Sequence, residues 1–151
     1  APAMPLRDMT SERLQMMFQT NILGAYLCAR EAVRCMRRGS IVNVSSLAAK
    51  TGSPGEYVDY AGSKAAMDAL TIGLAKEAGP LNIRVNGVRP AVIDTEIHAT
   101  SGNPQRAHTL GAQTPLGRAG SPEEVAEAIV WLLSDASSYV SGALIDMAGG
   151  R

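Results

Sequence analysis

The sequence predicts an α/β fold, a parallel β-sheet with helices on both faces, formed by a single domain over residues 1–151. Short β-branched segments alternate along the chain with stretches in which apolar residues recur at helical spacing. Strands that alternate with helices are joined by right-handed crossovers, so the strands run parallel. A length of 151 residues with 46% apolar residues suits one ordinary globular domain.

The first half of the chain contains a long predicted helix and a predicted strand. From Thr10 to about Met36 apolar residues follow helical spacing, and Thr10 is a suitable N-cap. Gly39 ends that pattern, and the segment SIVNVSS (residues 40–46) is typical of a buried strand. The glycines and proline within residues 52–55 indicate a loop.

The second half repeats this alternation. A helix is predicted from about Tyr60 to Ala78, and NIRVNGVRP (residues 82–90) is the second predicted strand. The segment SPEEVAEAIVWLLS (residues 121–134) then offers a serine N-cap, a proline at the first helical position and a glutamate that completes a capping box. The segment GALIDMAGG (residues 142–150) is the third predicted strand.

The carboxyl ends of the strands are the expected place for function, because parallel sheets bind their ligands there. These ends follow Val44, Val88 and Met147. Two serines, Ser45 and Ser46, come directly after the first predicted strand. We therefore expect the chemistry to involve that turn and side chains brought beside it by the neighbouring helix.

Charge and hydropathy exclude two classes of partner. Fourteen basic residues balance fourteen acidic ones, so no overall field attracts nucleic acid or an anionic membrane surface. The sequence also lacks the roughly 18 uninterrupted apolar residues of a membrane span. We expect a cytoplasmic protein whose partner is a small molecule.

The stretch YVDYAGSK (residues 57–64) contains two tyrosines and one lysine. Tyr60 and Lys64 lie four residues apart, which places both side chains on one face of the predicted helix, whereas Tyr57 has Ala61 at that offset. A phenol has a pKa of about 10, and a neighbouring ammonium lowers that pKa by favouring the phenolate. The pair can act as an acid/base catalyst. Taken alone, the pattern is much more typical of a surface pair without a catalytic role.

Several separate motifs, in order along the chain, favour the catalytic interpretation. They are FQTNILGAYLCAREAV, IVNVSS, fourteen residues from Ser46 to Tyr60, YAGSK, IRVNGVRP and IDTE. In order and spacing this set resembles the short-chain dehydrogenase/reductase family over essentially all 151 residues. The residues within these motifs are most similar to those of bacterial glucose-type dehydrogenases and 3-oxoacyl carrier-protein reductases. The resemblance implies a Rossmann-type fold and hydride transfer between NAD or NADP and an alcohol or ketone.

The resemblance also implies a role for each catalytic position. Tyr60 is expected to be the general acid/base, and Lys64 to lower its pKa and bind the nicotinamide ribose. Ser46 is expected to hold the substrate oxygen, with Ser45 as the less suitable candidate. Asn21 is expected to anchor a water in a proton relay behind Lys64. From the residue alone, Asn21 is better explained as a polar helix residue that bonds to backbone.

The same resemblance implies cofactor contacts at Tyr60, Lys64, Pro90, Ile93 and Thr95, the last two at the nicotinamide carboxamide. The family's G-x-x-x-G-x-G turn, which precedes the helix that receives the pyrophosphate, has no counterpart here, because no two glycines have the spacing G-x-G. The N-terminal phosphate-binding half is therefore absent from these residues. We expect a native polypeptide longer by about 80 to 110 residues at its N-terminus, with the residue that selects NAD or NADP in that part.

Three further expectations concern assembly, the substrate and metals. Apolar residues on more than one face of the two long helices predict a homo-oligomer, a dimer or a tetramer. The polar stretch 99–118 is interpreted as a substrate lid. His98 and His108 have no acidic partner at ligand spacing, so no metal site is predicted. The alternative to an enzyme is a non-catalytic fragment or oligomerisation module of the same fold.

Overall fold

A parallel sheet forms the centre of the structure, a computed structural model that describes residues 2–96 and 105–151. Its strands within these ranges are β1 (Gly39–Val44), β2 (Ile83–Pro90) and β3 (Leu144–Met147), in the spatial order β1-β2-β3. Both pairings are parallel, with Ile41 opposite Val85 and Val88 opposite Ile145. The predicted parallel α/β architecture is confirmed.

Helices separate the strands along the chain. The α-helices of the described residues are α1 (Ser11–Phe18), α2 (Gly24–Cys35), α3 (Ala48–Thr51), α4 (Val58–Ala78), α5 (Arg106–Gly111) and α6 (Pro122–Leu133). A π-helical segment, Gln19–Leu23, connects α1 to α2, and short 3₁₀ turns lie at Leu6–Asp8, Gly79–Leu81 and Asp135–Ser137. Among the described residues, no helix has both the length and the apolar character needed to cross a bilayer.

The sheet has helices on both faces because neighbouring residues of a strand point to opposite sides. On one face, Ala78 of α4 packs with Ile83 and Val85 in the main apolar cluster. On the other face, Ser40 donates a hydrogen bond to the carbonyl of Leu132 in α6, at 2.9 Å. The side chain of Leu132 is fully buried. The sheet is thus covered from both sides and presents its strand ends as the accessible edge.

Side-chain caps fix the starts of two helices where the sequence predicts them. The Thr10 hydroxyl accepts a hydrogen bond from the Arg13 amide at 3.3 Å. At α6 the Ser121 hydroxyl accepts from the Glu124 amide at 3.3 Å, and the Glu124 carboxylate accepts from the Ser121 amide at 2.8 Å. This reciprocal arrangement is the predicted capping box.

The structure corrects three local expectations. The first predicted helix is interrupted by the π-helical segment; the single turn α3 directly precedes the predicted loop at residues 52–55. The helix that bears Tyr60 begins two residues earlier than predicted, at Val58. The strand predicted as buried, β1, is half-buried and Val44 is 46% exposed, because β1 is the edge strand of the described sheet.

Candidate active site

The end of β1 and the start of α4 bring three of the predicted residues together. Tyr60 lies in the first turn of α4 and Lys64 one turn later. The Lys64 ammonium donates a hydrogen bond to the carbonyl oxygen of Val44, the last residue of β1, at 2.9 Å. The Ser46 hydroxyl lies close enough to Tyr60 to lower the pKa of its phenol. Ser46, Tyr60 and Lys64 therefore form one cluster at the carboxyl end of the strand.

The electrostatics of Tyr60 differ from the sequence expectation. Burial raises the pKa of the Tyr60 phenol above its ordinary value, and the nearby Ser46 hydroxyl opposes this rise without reversing it. The Lys64 ammonium lies 5.7 Å from the centroid of the Tyr60 ring. The Tyr60 pKa is therefore raised, rather than lowered as expected from Lys64, because burial disfavours the phenolate.

Lys64 is itself partly buried. Burial lowers the pKa of its ammonium, and the negative charge of Asp68, one turn further along α4, acts in the opposite direction. The bond to Val44 directs the ammonium toward the end of β1. Lys64 is therefore held by a backbone acceptor and influenced by a carboxylate on its own helix.

The two serines after β1 have different surroundings. Ser45 is buried, and its hydroxyl donates to the carbonyl oxygen of Lys64 at 3.0 Å. Ser46 is less buried, and its hydroxyl oxygen accepts from the Ala48 amide at 3.2 Å. Ser45 thus ties β1 to α4, while Ser46 faces Tyr60. This division agrees with the choice of Ser46 as the candidate.

Asn21 lies behind the cluster, in the π-helical segment. Its side-chain amide donates to the Ser63 hydroxyl at 2.9 Å, and that hydroxyl donates to the carbonyl oxygen of Tyr60 at 2.7 Å. The alternative explanation, a bond from Asn21 to backbone, is wrong, because the partners of this amide are Ser63 and the Met17 sulfur. π-Helical segments occur often at functional sites because they turn a side chain away from its helical direction.

A cleft of about 600 Å³ opens next to Ser46 and Tyr60. This volume is typical of a site for a small organic ligand. Its walls are mostly apolar, and they include Met17, Leu47, Val92 and Leu110. The two hydroxyl groups therefore meet an apolar cavity, the arrangement that orients one polar group of a small substrate.

The predicted cofactor residues of the second strand end border the same region. The carbonyl oxygen of Pro90 accepts from the Leu47 amide at 3.0 Å, so the ends of β1 and β2 are joined. Ile93 forms an isolated parallel bridge with Gly120, and Thr95 is exposed. The structure therefore places Pro90, Ile93 and Thr95 on the segment that leaves β2 beside the Ser46 turn.

Comparison with known proteins gives matches along the whole chain. A family model described as enoyl-(acyl carrier protein) reductase matches residues 1–151. The uncharacterized oxidoreductase YgfF of Escherichia coli (strain K12) is 52% identical over 97% of this chain and 62% of its own length. The chain belongs to the short-chain dehydrogenase/reductase family. The predicted resemblance is confirmed.

Further members of the short-chain dehydrogenase/reductase family support the assignment. A glucose and ribitol dehydrogenase homolog of Oryza sativa subsp. japonica is 38% identical over 96% of this chain and 51% of its own length. The solved structure of a 3-oxoacyl-[acyl-carrier protein] reductase with bound NAD from Brucella melitensis has a TM-score of 0.82 at 36% identity, covering 98% of this chain and 55% of that one. The chain spans between half and two thirds of the length of these relatives.

The sequence did not indicate one group in the cleft of this short-chain dehydrogenase/reductase. Arg106 of α5 forms an ion pair with Glu56 at 2.6 Å, and its guanidinium lies 5.7 Å from the centroid of the Tyr57 ring. All three residues line the cleft. Arg106 is separated from Tyr57 by 49 residues and from Glu56 by 50, so no local spacing predicts their contact and only the fold brings Arg106 to Tyr57.

The metal and lid expectations concern residues 97–118. Residues 97–104, His98 among them, lie outside the described residues. His108 is on α5 and borders a smaller cavity of about 300 Å³, together with Asp94 and Arg118. That cavity contains none of Ser46, Tyr60 and Lys64. The larger cleft is therefore the candidate active site of this short-chain dehydrogenase/reductase.

Proposed function

We propose that the protein is an NAD(P)-dependent oxidoreductase that transfers a hydride between the nicotinamide cofactor and a small alcohol or ketone. The observation that carries this proposal is the convergence of Ser46, Tyr60 and Lys64 at the end of β1, beside a cleft of about 600 Å³. Membership of the short-chain dehydrogenase/reductase family supports the reaction class.

Tyr60 supplies and removes the proton of this reaction. Because burial raises the pKa of its phenol, Tyr60 is neutral at physiological pH and is in the form that donates a proton. In reduction the phenolic proton passes to the carbonyl oxygen of the substrate as that carbon receives the hydride. In oxidation the phenolate accepts the proton of the alcohol. Ser46, whose hydroxyl lies close to Tyr60, holds the same substrate oxygen.

The residues present fit the nicotinamide end of the cofactor. Lys64 offers an ammonium and Tyr60 a hydroxyl at the carboxyl end of a parallel strand, where such folds bind nucleotides. Pro90, Ile93 and Thr95 follow the neighbouring strand, and Thr95 is exposed. When bound, the nicotinamide supplies or accepts the hydride. NAD is bound in the related reductase from Brucella melitensis.

Asn21 supports the cluster from behind. Its link through Ser63 reaches the backbone of Tyr60, so the π-helical segment and the first turn of α4 are held together. We assign Asn21 the predicted role of holding a water for proton exchange behind Lys64. Replacement of Asn21 by alanine therefore slows proton exchange and leaves the cleft intact.

Turnover of a nicotinamide cofactor tests the proposal. The full-length protein is mixed with NADH or NADPH and a set of small ketones and aldehydes, and in the reverse direction with NAD or NADP and the matching alcohols. We expect loss or gain of the reduced-nicotinamide absorbance with at least one pair. A full-length protein that binds neither cofactor in a fluorescence titration would contradict the proposal and favour the non-catalytic alternative.

A further inference from the structure

One carboxylate next to the candidate site is buried, and only one of its two oxygens accepts a hydrogen bond. Asp68 is 8% exposed, and its Oδ2 accepts a hydrogen bond from the Arg89 guanidinium at 2.9 Å. Its Oδ1 is buried and has no hydrogen-bond partner among the described residues. An unpaired buried carboxylate oxygen is costly, since desolvation is not repaid by a bond. Such a group in a native structure calls for a physical explanation.

Asp68 is the inner end of a line of charges that alternate in sign. Lys50 binds Asp146 at 2.7 Å, Asp146 binds Arg89 at 3.2 Å, and Arg89 binds Asp68 at 2.9 Å. The exposed fraction of the side chains falls along this line, from 53% at Lys50 to 30%, 16% and 11% at Asp68. The line therefore leads from solvent into the protein and ends at α4.

Lys64 is the positively charged residue that follows Asp68, the inner end of this line of charges, on α4. Lys64 and Asp68 lie four residues apart on α4 and so occupy neighbouring positions on one face of the helix. The Asp68 charge raises the pKa of Lys64 against the lowering caused by burial. Arg89 shares its charge between two carboxylates, so it only partly neutralises Asp68. The remaining negative charge lies one helical turn from the Lys64 ammonium.

We propose that Asp68 is a positioning residue for the proposed reaction, whose buried carboxylate keeps the Lys64 side chain in its charged form. The expected effect of Asp68 on turnover rests on the proposed function, whereas its expected effect on the charge of Lys64 does not. A neutral lysine would neither attract the Tyr60 phenolate nor offer an ammonium to a ribose. No second donor binds Asp68 at Oδ1, and the charge of this carboxylate acts on Lys64 across the helix turn without a direct bond.

The groups that surround Lys64 set the expected pH behaviour. On α4 these are Tyr60 and Asp68; β2 contributes Arg89 and β3 contributes Asp146, both through the ion-pair line, and β1 contributes the neutral Val44 carbonyl. Removing the Asp68 charge leaves burial as the main influence on Lys64, so its pKa falls. The alkaline limb of a pH–rate profile, which reports loss of the charged lysine, therefore moves to lower pH.

The direct test is the titration of Lys64 in full-length protein labelled with ¹³C at the lysine ε-carbons. The Lys64 signal is assigned by its loss in Lys64→Arg. We expect Asp68→Asn to move the Lys64 titration midpoint to lower pH, so that at alkaline pH the protonated fraction falls by about tenfold for each unit of the shift. The alkaline limb of kcat/KM is expected to move with it, while KM at neutral pH stays near the parent value.

Asp146→Asn is the matched control. It removes a carboxylate of the same line and one partner of Arg89, but it leaves Asp68 in place beside Lys64. We expect its Lys64 midpoint to move much less than in Asp68→Asn, because the Asp68 carboxylate remains beside Lys64. Where Asp68→Asn does not fold, Asp68→Glu and Asp68→Ser make the same comparison, the first with the charge and the second without it.

An unchanged Lys64 midpoint in a folded Asp68→Asn protein, or an equal shift in Asp146→Asn, would overturn the inference. The titration needs neither cofactor nor substrate. Its failure is therefore distinct from failure of the proposed function, which would appear as absence of cofactor-dependent turnover in the parent protein.

Discussion

At the scale of single residues, the two tyrosines of the cleft show how the surroundings decide chemistry. Tyr57 and Tyr60 both line the cleft. Tyr60 has Ser46 and Lys64 as its polar neighbours, whereas Tyr57 lies against the guanidinium of Arg106. An arginine stays protonated throughout the accessible pH range, so it offers Tyr57 no partner for proton exchange. This difference supports Tyr60, rather than Tyr57, as the tyrosine proposed to move the proton.

Lys64→Ala is expected to lower both turnover and cofactor binding. The substitution removes the ammonium assigned to the phenolate and to the ribose, together with the bond to Val44. We expect kcat/KM to fall by about 10²-fold, with a weaker affinity in a nicotinamide fluorescence titration. Lys76→Ala, at the exposed end of the same helix, is the control and is expected to match the parent. A Lys64→Ala protein with parent affinity for the cofactor would contradict the ribose assignment.

At the scale of elements, the first turn of α4 is fixed to α1 by a buried ion pair. Arg13 Nε donates to Asp59 Oδ2 at 2.8 Å, and the Asp59 side chain is fully buried. Burial raises the pKa of Asp59. Hydrogen bonds from the Arg13 side chain and from backbone amides lower that pKa by more than burial raises it, so the Asp59 pKa lies below its ordinary value. Because Asp59 precedes Tyr60, this pair sets the position of the candidate catalytic turn.

Arg13→Met is expected to destabilise the full-length protein by about 3 kcal/mol, because it leaves a buried carboxylate without its cation. A carboxyl whose folded pKa is lowered adds stability above its unfolded pKa and loses it as pH falls through the folded value. Without Arg13 the Asp59 pKa is no longer held below its ordinary value, so the stability difference between variant and parent is expected to be largest near neutral pH and to shrink as the pH falls through the acidic range. Denaturant unfolding at several pH values measures both effects.

Arg7→Met provides the comparison for that experiment. Arg7 forms a pair with Asp8 at 3.7 Å in which both side chains are largely exposed. Surface pairs contribute little, so we expect a change within about 0.5 kcal/mol and no such dependence on pH. Equal stability losses in the two variants would show that the Arg13 pair does not anchor α4.

At the scale of the whole molecule, sequence patterns predict the order of the elements and most of the site. Helical spacing, the capping box and the β-branched segments locate the strands and the long helices, because each depends on neighbouring residues. The contacts of Arg106 with Glu56 and Tyr57 follow no local pattern. The Tyr60 pKa also depends on burial, which only the packed fold determines. Long-range packing is thus what the sequence patterns leave undetermined.

Assembly is predicted from an apolar groove on the first long helix. Phe18, Ile22, Leu23 and Tyr26 line this groove of about 520 Å³, and Leu23 is 46% exposed. We predict that the full-length protein is a dimer or tetramer with this surface at a contact between copies. Leu23→Glu is expected to give smaller particles in sedimentation velocity at micromolar concentration.

Leu81→Glu is the control for assembly, since Leu81 is also 46% exposed but lies at the end of α4, outside the groove. We expect its sedimentation to equal that of the parent. A parent protein that sediments as a monomer would refute the prediction, as would equal dissociation by the two substitutions.

The most direct test of the central claim, that Tyr60 is the acid/base catalyst, compares Tyr60→Phe with Tyr57→Phe in the full-length protein. Each substitution keeps a ring in the cleft and removes one hydroxyl. We expect Tyr60→Phe to lower kcat by about 10²-fold or more, because it removes the hydroxyl that is proposed to exchange the substrate proton, with little change in cofactor affinity. Tyr57→Phe is expected to retain most of the turnover and to change KM at most. Near-parent turnover in Tyr60→Phe together with loss of turnover in Tyr57→Phe would contradict the account.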